Sequence, residues 1–447
     1  MYRTICLLLL CSFSLAESQT IKVTPEDMAL RVKLEFQHAW QGYKAHAWGH
    51  DGYRPLTKSS YDWYGTPFYL TAVEALDTMT LMGLKDEADS TREFIATHLS
   101  FDRDVYVSVF EFTLRIMGSL LTNYQLSRDK RLLDLADDLG RRMLPAFVTG
   151  TALPYREVNL KTGAVRGEIT NPGEAGTLLV EFGSLTAMTG KAAYYNSAKL
   201  ALLSIYRARS EIGLVGEGIN VNTGEWTKTD SHLSACIDSY YEYIVKCGLL
   251  FDDADCRQMW ETSSVAINKY LLDSSSKGFW YGHADMNTGK RTKTWFGALD
   301  AFFPACLSLA GDVDRAGRLM ESCFAMWIKH GIEPEQYNYV TGKVEMPRYY
   351  LNPEIMESAY YLFQSTHDPL YQNMGKVFFD SLVTYCRTDE GYAELDDVVT
   401  KAKRDRMDPY FMAETLKYLY LLYAPDEVLP FTKVIFNSEG HPIRKAW

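Results

Sequence analysis

Five acidic residues of this 447-residue chain stand among apolar or aromatic neighbours, each in a separate segment with helical periodicity. They are Glu111, Glu181, Asp238, Glu354 and Glu414. An ionised carboxylate in such surroundings is costly unless it finds a partner, so a chemical role is one reason to keep it there. Carboxylates that share one cavity can bind hydroxyl groups and supply a general acid and a general base.

Each acid also has an explanation that requires no chemistry. Glu111 lies one helical turn before Arg115, and the two side chains would form an ion pair on one helix face. Asp238 fits the N-cap of the helix that follows it, and residues 352–354 fit a cap, a first-turn proline and a dipole-stabilising acid. Five acids on five helices are harder to explain as separate local features, which favours a shared site.

Aromatic residues in the same segments indicate the substrate class. Asp238 is followed by Ser239-Tyr240-Tyr241-Glu242-Tyr243, and 13% of the chain is aromatic. Aromatic faces cover sugar rings, and a pair of carboxylates hydrolyses glycosides. The chain lacks HExxH, CxxC and GxSxG motifs and a Gly-rich phosphate loop, which argues against zinc, serine-hydrolase and nucleotide sites. The acidic run 252–255 is interpreted as a helix cap and not as a metal site.

Apolar spacing at i, i+3, i+4 and i+7 predicts an all-α chain of fourteen helices. The predicted helices span 24–46, 67–83, 87–98, 107–126, 130–147, 175–189, 192–209, 233–248, 253–271, 296–310, 313–330, 352–366, 368–386 and 408–423. Short polar connections group them into seven hairpins, and the longer connections carry β-hairpin patterns at 214–226 and 278–292. If the hairpins close into a ring, the five acids face its interior; an open helical solenoid is the alternative.

Composition and length limit the broad class. The net charge is −11 and 47% of the residues are hydrophobic, which excludes a disordered chain and a polybasic nucleic-acid binder. Residues 1–18 have the pattern of a secretory signal peptide, with an uncleaved anchor as the alternative. No later apolar run reaches the roughly 20 residues of a membrane span. No linker divides residues 19–447, which we interpret as one catalytic domain.

Six cysteines remain beyond the signal segment: Cys236, Cys247, Cys256, Cys306, Cys323 and Cys386. In an oxidising lumen some of them are expected to form disulfide bonds, with free buried thiols as the alternative for several. Lumenal cysteines can also exchange with a protein disulfide oxidoreductase, which makes such an enzyme an expected partner.

Seven motifs, in order along the chain, resemble those of glycoside hydrolase family 47, the class I α-mannosidases. They are Glu74-Ala75-Leu76-Asp77-Thr78, Phe110-Glu111-Phe112-Thr113-Leu114-Arg115, Glu181-Phe182, Asp238-Ser239-Tyr240-Tyr241-Glu242-Tyr243, Pro353-Glu354-Ile355-Met356-Glu357-Ser358, the segment from Ala413-Glu414-Thr415 to Leu421-Leu422, and Phe436-Asn437-Ser438-Glu439-Gly440-His441-Pro442. The resemblance implies an (α/α)7 barrel, in agreement with the seven hairpins counted from periodicity. It also implies a calcium-assisted, inverting α-1,2-mannosidase acting on high-mannose N-glycans.

Within the family, three further motifs look most like the ER degradation-enhancing α-mannosidase-like branch. They are Arg209-Ser210, Gly213-Leu214-Val215-Gly216 and Thr223-Gly224-Glu225-Trp226. That branch implies an ER-lumenal enzyme that trims glycans on misfolded glycoproteins and directs them to degradation. One alternative is a lectin of the same fold that binds mannose or unfolded chains without cleavage. Another is a processing mannosidase without a quality-control role.

The family motifs also imply residue roles. Glu111 corresponds to the general acid, acting through a water molecule, and Glu354 to the general base, with Asp238 as the rival for the acid role. Residues implied to bind the sugar or to hold waters around the metal are Arg115, Glu181, Glu357 and Glu414. Ser438 stands where the family has a calcium-binding threonine, and a hard cation accepts either hydroxyl.

Four positions depart from the family pattern. Asn352 replaces an arginine beside the presumed base, and loss of that cation is expected to raise the pKa of Glu354. Tyr410 replaces the phenylalanine that supports the sugar, so its hydroxyl needs a partner. Glu74 replaces an aspartate and Gly52 replaces an acid. Together these departures predict slow or substrate-restricted catalysis.

Overall fold

The computed structural model describes residues 24–274 and 278–446, and the predicted signal segment lies outside them. The described residues contain fourteen longer helices, one for each predicted helix. In chain order, α1 to α14 are Pro25–His46, Leu70–Leu81, Lys85–His98, residues 109–127, Lys130–Met143, Leu179–Thr189, Ala192–Ala208, Asp238–Leu250, Ala254–Tyr270, Phe303–Leu309, Val313–His330, Glu354–Thr366, Pro369–Tyr385 and Leu416–Leu421.

Two of these helices contain or follow π-helical segments. In α4 the π segment is Phe112–Met117, between Val109–Glu111 and Gly118–Ser127. A second π segment, Phe411–Thr415, leads directly into α14. Shorter helical pieces are Pro172–Gly176, Leu144–Phe147, Leu299–Phe302 and Phe431–Lys433. Single-turn π segments inside α-helices are frequent at functional sites, where they redirect side chains.

Helices adjacent in sequence pack as pairs, and the pairs close into a ring. Helices α2/α3, α4/α5, α6/α7, α8/α9, α10/α11 and α12/α13 form six hairpins, and α1 packs against α14 to form the seventh pair. The segment Phe411–Thr415 also packs against α2, so the two ends of the helical array meet. The predicted (α/α)7 barrel is therefore confirmed, and the open solenoid is wrong.

Burial separates an inner from an outer ring of helices. In α2 every residue except Thr80 is buried, whereas α5 buries a single stripe that includes Leu132, Ala136, Leu139 and Met143. A helix that is buried on all sides lies in a core, and one with a single apolar stripe covers it. The acids predicted to carry chemistry lie on or next to inner helices, so the ring directs them towards one interior.

Twenty-two short strands in the described residues form small antiparallel sheets in the connections. In chain order, β1 to β22 are Gly52–Arg54, Ser59–Tyr61, Tyr106–Ser108, Glu157–Asn159, Val165–Arg166, Ile169–Thr170, Gly218–Asn220, Trp226–Lys228, Asp230–Ser231, Leu272–Asp273, Trp280–Tyr281, His283–Asp285, Arg291–Lys293, Trp295–Phe296, Gln336–Asn338, Lys343–Met346, Arg387–Thr388, Gly391–Tyr392, Glu394–Asp397, Ala402–Arg404, Val434–Phe436 and Pro442–Arg444. Both predicted hairpin regions contain paired strands, β7 with β8 and β12 with β13.

The hairpin β21–β22 enters the ring. Strand β21 packs against α8 and β22 against α4, and the turn residues Asn437 and His441 are fully buried. The Asn437 side chain donates to Leu114 O at 2.9 Å, and its Oδ1 accepts from the backbone N–H of His441 at 2.8 Å. The turn therefore has a fixed position inside the barrel, which the sequence analysis did not predict.

The six cysteines of the described residues are all free thiols. The expectation that some form disulfide bonds is therefore wrong for this structure, in which all of them except Cys236 are buried free thiols. The capping interpretation of the acidic run 252–255 is confirmed, since the Asp253 side chain accepts from Cys256 N at 3.0 Å at the start of α9. In residues 24–274 and 278–446, no helix is long and apolar enough to cross a membrane.

Candidate active site

A cavity of about 260 Å³ lies inside the ring and collects most of the predicted residues. Its lining residues are Phe110, Arg115, Asp238, Ser239, Glu242, Leu299, Phe302, Glu335, Tyr350, Asn352, Pro353, Glu354, Glu357, Tyr410, Glu414, Ser438 and Glu439. Two predicted residues, Glu111 and Glu181, do not line it. Seven carboxyl groups and one guanidinium face this space, so it suits hydroxyl-rich and cationic ligands.

Asp238 opens helix α8 with its side chain in the cavity. Its Oδ1 accepts from the backbone N–H of Ser239 at 2.8 Å. The interpretation as an N-cap is wrong, because Ile237 occupies that position and Asp238 is the first helical residue. Burial raises the pKa of Asp238 to about 7, with further repulsion from Glu242. This carboxyl group can therefore hold a proton near neutral pH.

Glu354 is the first residue of helix α12, and its side chain also lines the cavity. Its Oε2 is buried and has no hydrogen-bond partner among the described residues. Burial, followed by repulsion from Glu335 and Glu357, raises the pKa of Glu354 well above its ordinary value. Asn352 is not the predicted N-cap, because Pro353 holds that position and the Asn352 Oδ1 accepts from Tyr350 N at 3.0 Å.

Arg115 links three carboxylates at one side of the cavity. Its Nε donates to Glu111 at 2.7 Å, and its Nη1 bonds to Glu74 at 3.2 Å and to Glu439. The predicted pair with Glu111 is thus real, but it belongs to a larger network. The Glu111 side chain is 29% exposed and lies beside the cavity, while Arg115 lines it. Since Arg115 lies in the π segment of α4, that segment sets where its guanidinium points.

Three cavity acids carried no predicted role: Glu242, Glu335 and Glu439. Glu242 and Glu439 lie within the motifs that carry the family resemblance. Glu335 lies in a loop just before β15, and burial raises its pKa to about 7. Its Oε2 has no partner among the described residues, and Glu354 feels its charge. No feature of the sequence distinguished Glu335 within the connection 331–351.

The surroundings of Ser438 fit a hard cation. Ser438 is half-buried in the β21–β22 turn, lines the cavity, and donates its backbone N–H to Tyr243 at 3.2 Å. Behind the turn, Glu181 accepts from Tyr243 at 2.7 Å and from Asn437 at 2.8 Å, and its Oε2 is buried without a partner among the described residues. Burial raises the pKa of Glu181 to about 8. Hydroxyl, carbonyl and carboxylate oxygens are the donors that calcium prefers.

Two further predicted residues, Glu357 and Glu414, also line the cavity. Burial raises the pKa of Glu357 to about 8 against the attraction of Lys246, whose Nζ lies 3.7 Å away. Burial and the adjacent Glu439 raise the pKa of Glu414 well above its ordinary value. A bound divalent cation would lower the pKa values of such carboxyl groups, because it stabilises their ionised forms.

The structure accounts for three of the four departures from the family pattern. The Tyr410 hydroxyl finds a partner in Tyr350 O at 2.8 Å, and its ring faces the Arg115 guanidinium. Glu74 is fully buried and bonded to Arg115. A Cβ on Gly52 would lie 2.1 Å from the Tyr61 ring, so a side chain there requires that Tyr61 move.

Comparisons with known proteins agree with this geometry. The model of glycosyl hydrolase family 47 matches residues 35–445. "Alpha-mannosidase I MNS5" of Arabidopsis thaliana is 35% identical, over 98% of this chain and 81% of that protein. "ER degradation-enhancing alpha-mannosidase-like protein 2" of Homo sapiens is 35% identical, over 93% of this chain and 77% of that protein.

A solved structure has the same fold. The "alpha-1,2-mannosidase from Trichoderma reesei" superposes with a TM-score of 0.86 at 25% identity, over 94% of this chain and 99% of that chain. A family model that spans nearly all the described residues, relatives over most of the chain and a shared barrel all lead to one assignment. The chain belongs to glycosyl hydrolase family 47 and is a glycoside hydrolase of the α-mannosidase type.

Proposed function

We propose that this protein is an inverting α-1,2-mannosidase that trims high-mannose N-glycans. The observation that carries the proposal is one cavity that contains Asp238 and Glu354, surrounded by further carboxyl groups and by Tyr410 and Phe302. Aromatic rings cover the faces of a sugar, and carboxylates accept hydrogen bonds from its hydroxyls. The cavity is closed by the β21–β22 turn, which suits removal of terminal sugars.

Glu354 is the general base that activates the attacking water. Its unpartnered buried Oε2 has a free acceptor site for that water, and ionisation is required before it can accept the proton. Asp238 and Glu111 are the two candidates for the proton donor. Asp238 lines the cavity and holds its proton near pH 7, whereas Glu111 lies behind Arg115 and would act through a water molecule.

Ser438 would hold a calcium ion. The serine hydroxyl and carbonyl, with water molecules held by Glu181, Glu357, Glu414 and Glu439, would supply its oxygen ligands. When bound, calcium polarises the waters and sugar hydroxyls that it contacts. The residues of the chain then orient the sugar ring between Tyr410 and the carboxylates. Inversion produces β-mannose, which nuclear magnetic resonance of the first product detects directly.

The cellular role is trimming of misfolded glycoproteins in the ER lumen, which directs them to degradation. Relatives named as ER degradation-enhancing proteins support this role. Cys236 is the one cysteine of the described residues that is not fully buried, so it is the thiol available to a disulfide oxidoreductase. Release of mannose from an unfolded glycoprotein but not from the free glycan would support client selection, and equal release from both would contradict it.

The catalytic assignment is tested with Glu354→Gln, Asp238→Asn and Glu111→Gln, and with exposed Glu211→Gln as the matched control. Loss of the base is expected to abolish mannose release from every substrate. Loss of the true acid is expected to spare a mannoside with an activated leaving group, because that group departs without protonation. Full activity in Glu354→Gln would remove Glu354 from the mechanism. If Asp238→Asn or Glu111→Gln loses as much activity on the activated mannoside as on the glycan, the substituted residue is not the acid.

A further inference from the structure

Two buried histidines and an aspartate meet outside the cavity. Strand β9 pairs with β12 so that Ser231 lies opposite Ala284, which brings the next residue, His232, beside His283. The two imidazole rings lie 4.4 Å apart between centroids, and His283 Nδ1 is 2.9 Å from the Asp230 carboxylate. His232 and His283 are each 5% exposed. None of the three residues lines the cavity of the candidate active site.

The ligand atoms of this trio are close enough to share one metal ion. One nitrogen of each imidazole and one carboxylate oxygen of Asp230 lie within 4.8 Å of one another. Two imidazoles and a carboxylate suit zinc and related transition-metal ions, whereas calcium prefers an all-oxygen set. Asp230 has a side-chain exposure of 17%, so water can reach the remaining coordination position.

Two neighbouring side chains, Thr292 and Lys293, hold the Asp230 carboxylate in place. The Thr292 hydroxyl donates to Asp230 Oδ1 at 2.6 Å and fixes the carboxylate from the side. Lys293 Nζ lies 3.0 Å from Oδ2 and competes with a cation for that oxygen. The Lys293 side chain is 39% exposed, so it can turn into solvent when a metal ion takes its place. A structural ion pair of Asp230 with Lys293 and His283 is the competing explanation of the cluster.

We propose that Asp230, His232 and His283 bind a divalent transition-metal ion of the zinc type, separate from the proposed calcium site. The ion joins β9 to β12 at the start of the loop that leads to Asp238, six residues after His232. Metal binding would therefore stabilise the segment 232–238, which positions the first residue of α8. The chain itself supplies three ligands, and water supplies the fourth.

The test uses tag-free full-length protein in excess calcium, so that the oxygen-lined site is saturated. Zinc chloride is titrated by calorimetry, and cobalt(II) is added separately to observe its visible absorption spectrum. The variants are His232→Gln and His283→Gln, with exposed His98→Gln as the matched control. Hydrogen exchange of residues 232–238 is measured with and without zinc. Unfolding temperature in a transition-metal-selective chelator checks that each variant folds.

We expect one zinc ion per chain, a cobalt spectrum of a four- or five-coordinate site, and slower exchange in 232–238 on zinc addition. Each glutamine variant at the trio is expected to weaken binding at least about tenfold, while His98→Gln binds normally. Absence of zinc binding, or unchanged affinity in both folded variants, would overturn the proposal. A cobalt–thiolate charge-transfer band would also overturn it, because the ligand would then be a cysteine.

Discussion

Asn352 sets the electrostatic environment of the proposed base. It lines the cavity beside Glu354 but carries no charge, and the nearby carboxyl groups Glu335 and Glu357 both favour the protonated form of Glu354. Glu333, fully buried with both carboxylate oxygens unpartnered among the described residues, acts in the same direction if it ionises. A bound cation or a rise in pH would therefore favour the ionised form of Glu354.

Asn352→Arg is expected to move the acidic limb of the pH profile of kcat/KM down by about one pH unit. The base must be ionised to act, and an adjacent guanidinium lowers its pKa, so activity persists at lower pH. The measurement is kcat/KM on a high-mannose glycan across the acidic range. Asn352→Gln adds length without charge and should leave the limb in place. An equal shift in both variants would show that charge is not the cause.

At the scale of elements, the β21–β22 hairpin and helix α4 form one unit. Gly118 of α4 faces the turn so closely that a Cβ there would lie 2.4 Å from the Asn437 amide nitrogen. Asn437 is also the residue that bonds both Leu114 O and Glu181. The absence of one side chain on α4 therefore permits the position of Ser438 and Glu439 at the cavity.

Gly118→Ala is expected to displace the turn and to weaken calcium binding and mannose release together. Alanine favours a helix interior by roughly 0.5–1 kcal/mol over glycine, so a loss of function here would come from the clash and not from the helix. Calcium affinity by calorimetry and kcat/KM are measured on the same preparation. Gly150→Ala, where no atom lies within 4 Å, is the control. Normal calcium affinity in Gly118→Ala would contradict the coupling.

Ser438→Ala is expected to remove the rise in unfolding temperature that calcium produces. Calcium stabilises the folded protein only if it binds there, and the variant lacks the hydroxyl that would coordinate it. Ser438→Thr retains the hydroxyl and should preserve the rise. Thermal unfolding with calcium and with chelator gives the comparison. Full calcium stabilisation in Ser438→Ala would exclude the hydroxyl as a ligand.

At the scale of the whole molecule, a buried ionic cluster closes the ring. Asp77 of α2 accepts from Lys417 of α14 at 2.9 Å and pairs with His441 of the hairpin at 3.0 Å, and all three are fully buried. Burial alone would raise the pKa of Asp77, but attraction from Lys417 and His441 outweighs burial and holds that pKa below its ordinary value. The first inner helix, the last inner helix and the inserted hairpin thus meet at one carboxylate.

Asp77→Asn is expected to lower the free energy of unfolding by about 3–5 kcal/mol, because it leaves Lys417 buried without its counter-ion. Urea unfolding followed by circular dichroism provides the value. Asp89→Asn removes an exposed partner of Lys85 on neighbouring α3 and is expected to leave stability unchanged. Similar losses in the two variants would mean that ring closure does not depend on the Asp77 cluster.

The fourteen helices could be predicted because a 3.6-residue apolar period repeats from α1 to α14 and needs no knowledge of distant contacts. Closure into a ring was implied by the family resemblance, because the period itself fits an open solenoid equally well. The buried acids Asp238, Glu354 and Glu414 were visible for the same reason, since each interrupts an apolar helix face. Glu335 was not visible, because a loop has no period against which a buried carboxylate stands out. The insertion of β21–β22 was equally hidden, since its strands have three residues each and the helices that they pack against, α4 and α8, are distant in sequence.

The position of that hairpin also has a consequence for biosynthesis. The turn at Ser438 and Glu439 completes the cavity, and α1 can find its partner α14 only after residue 421 exists. Six helical hairpins can form as they are synthesised, but α1 stays without its partner α14 until the end of the chain is made, and the ring closes only then. Partly folded chains with exposed apolar surface are prone to aggregate, so closure of the ring is the step of biosynthesis at which we expect this chain to be most vulnerable.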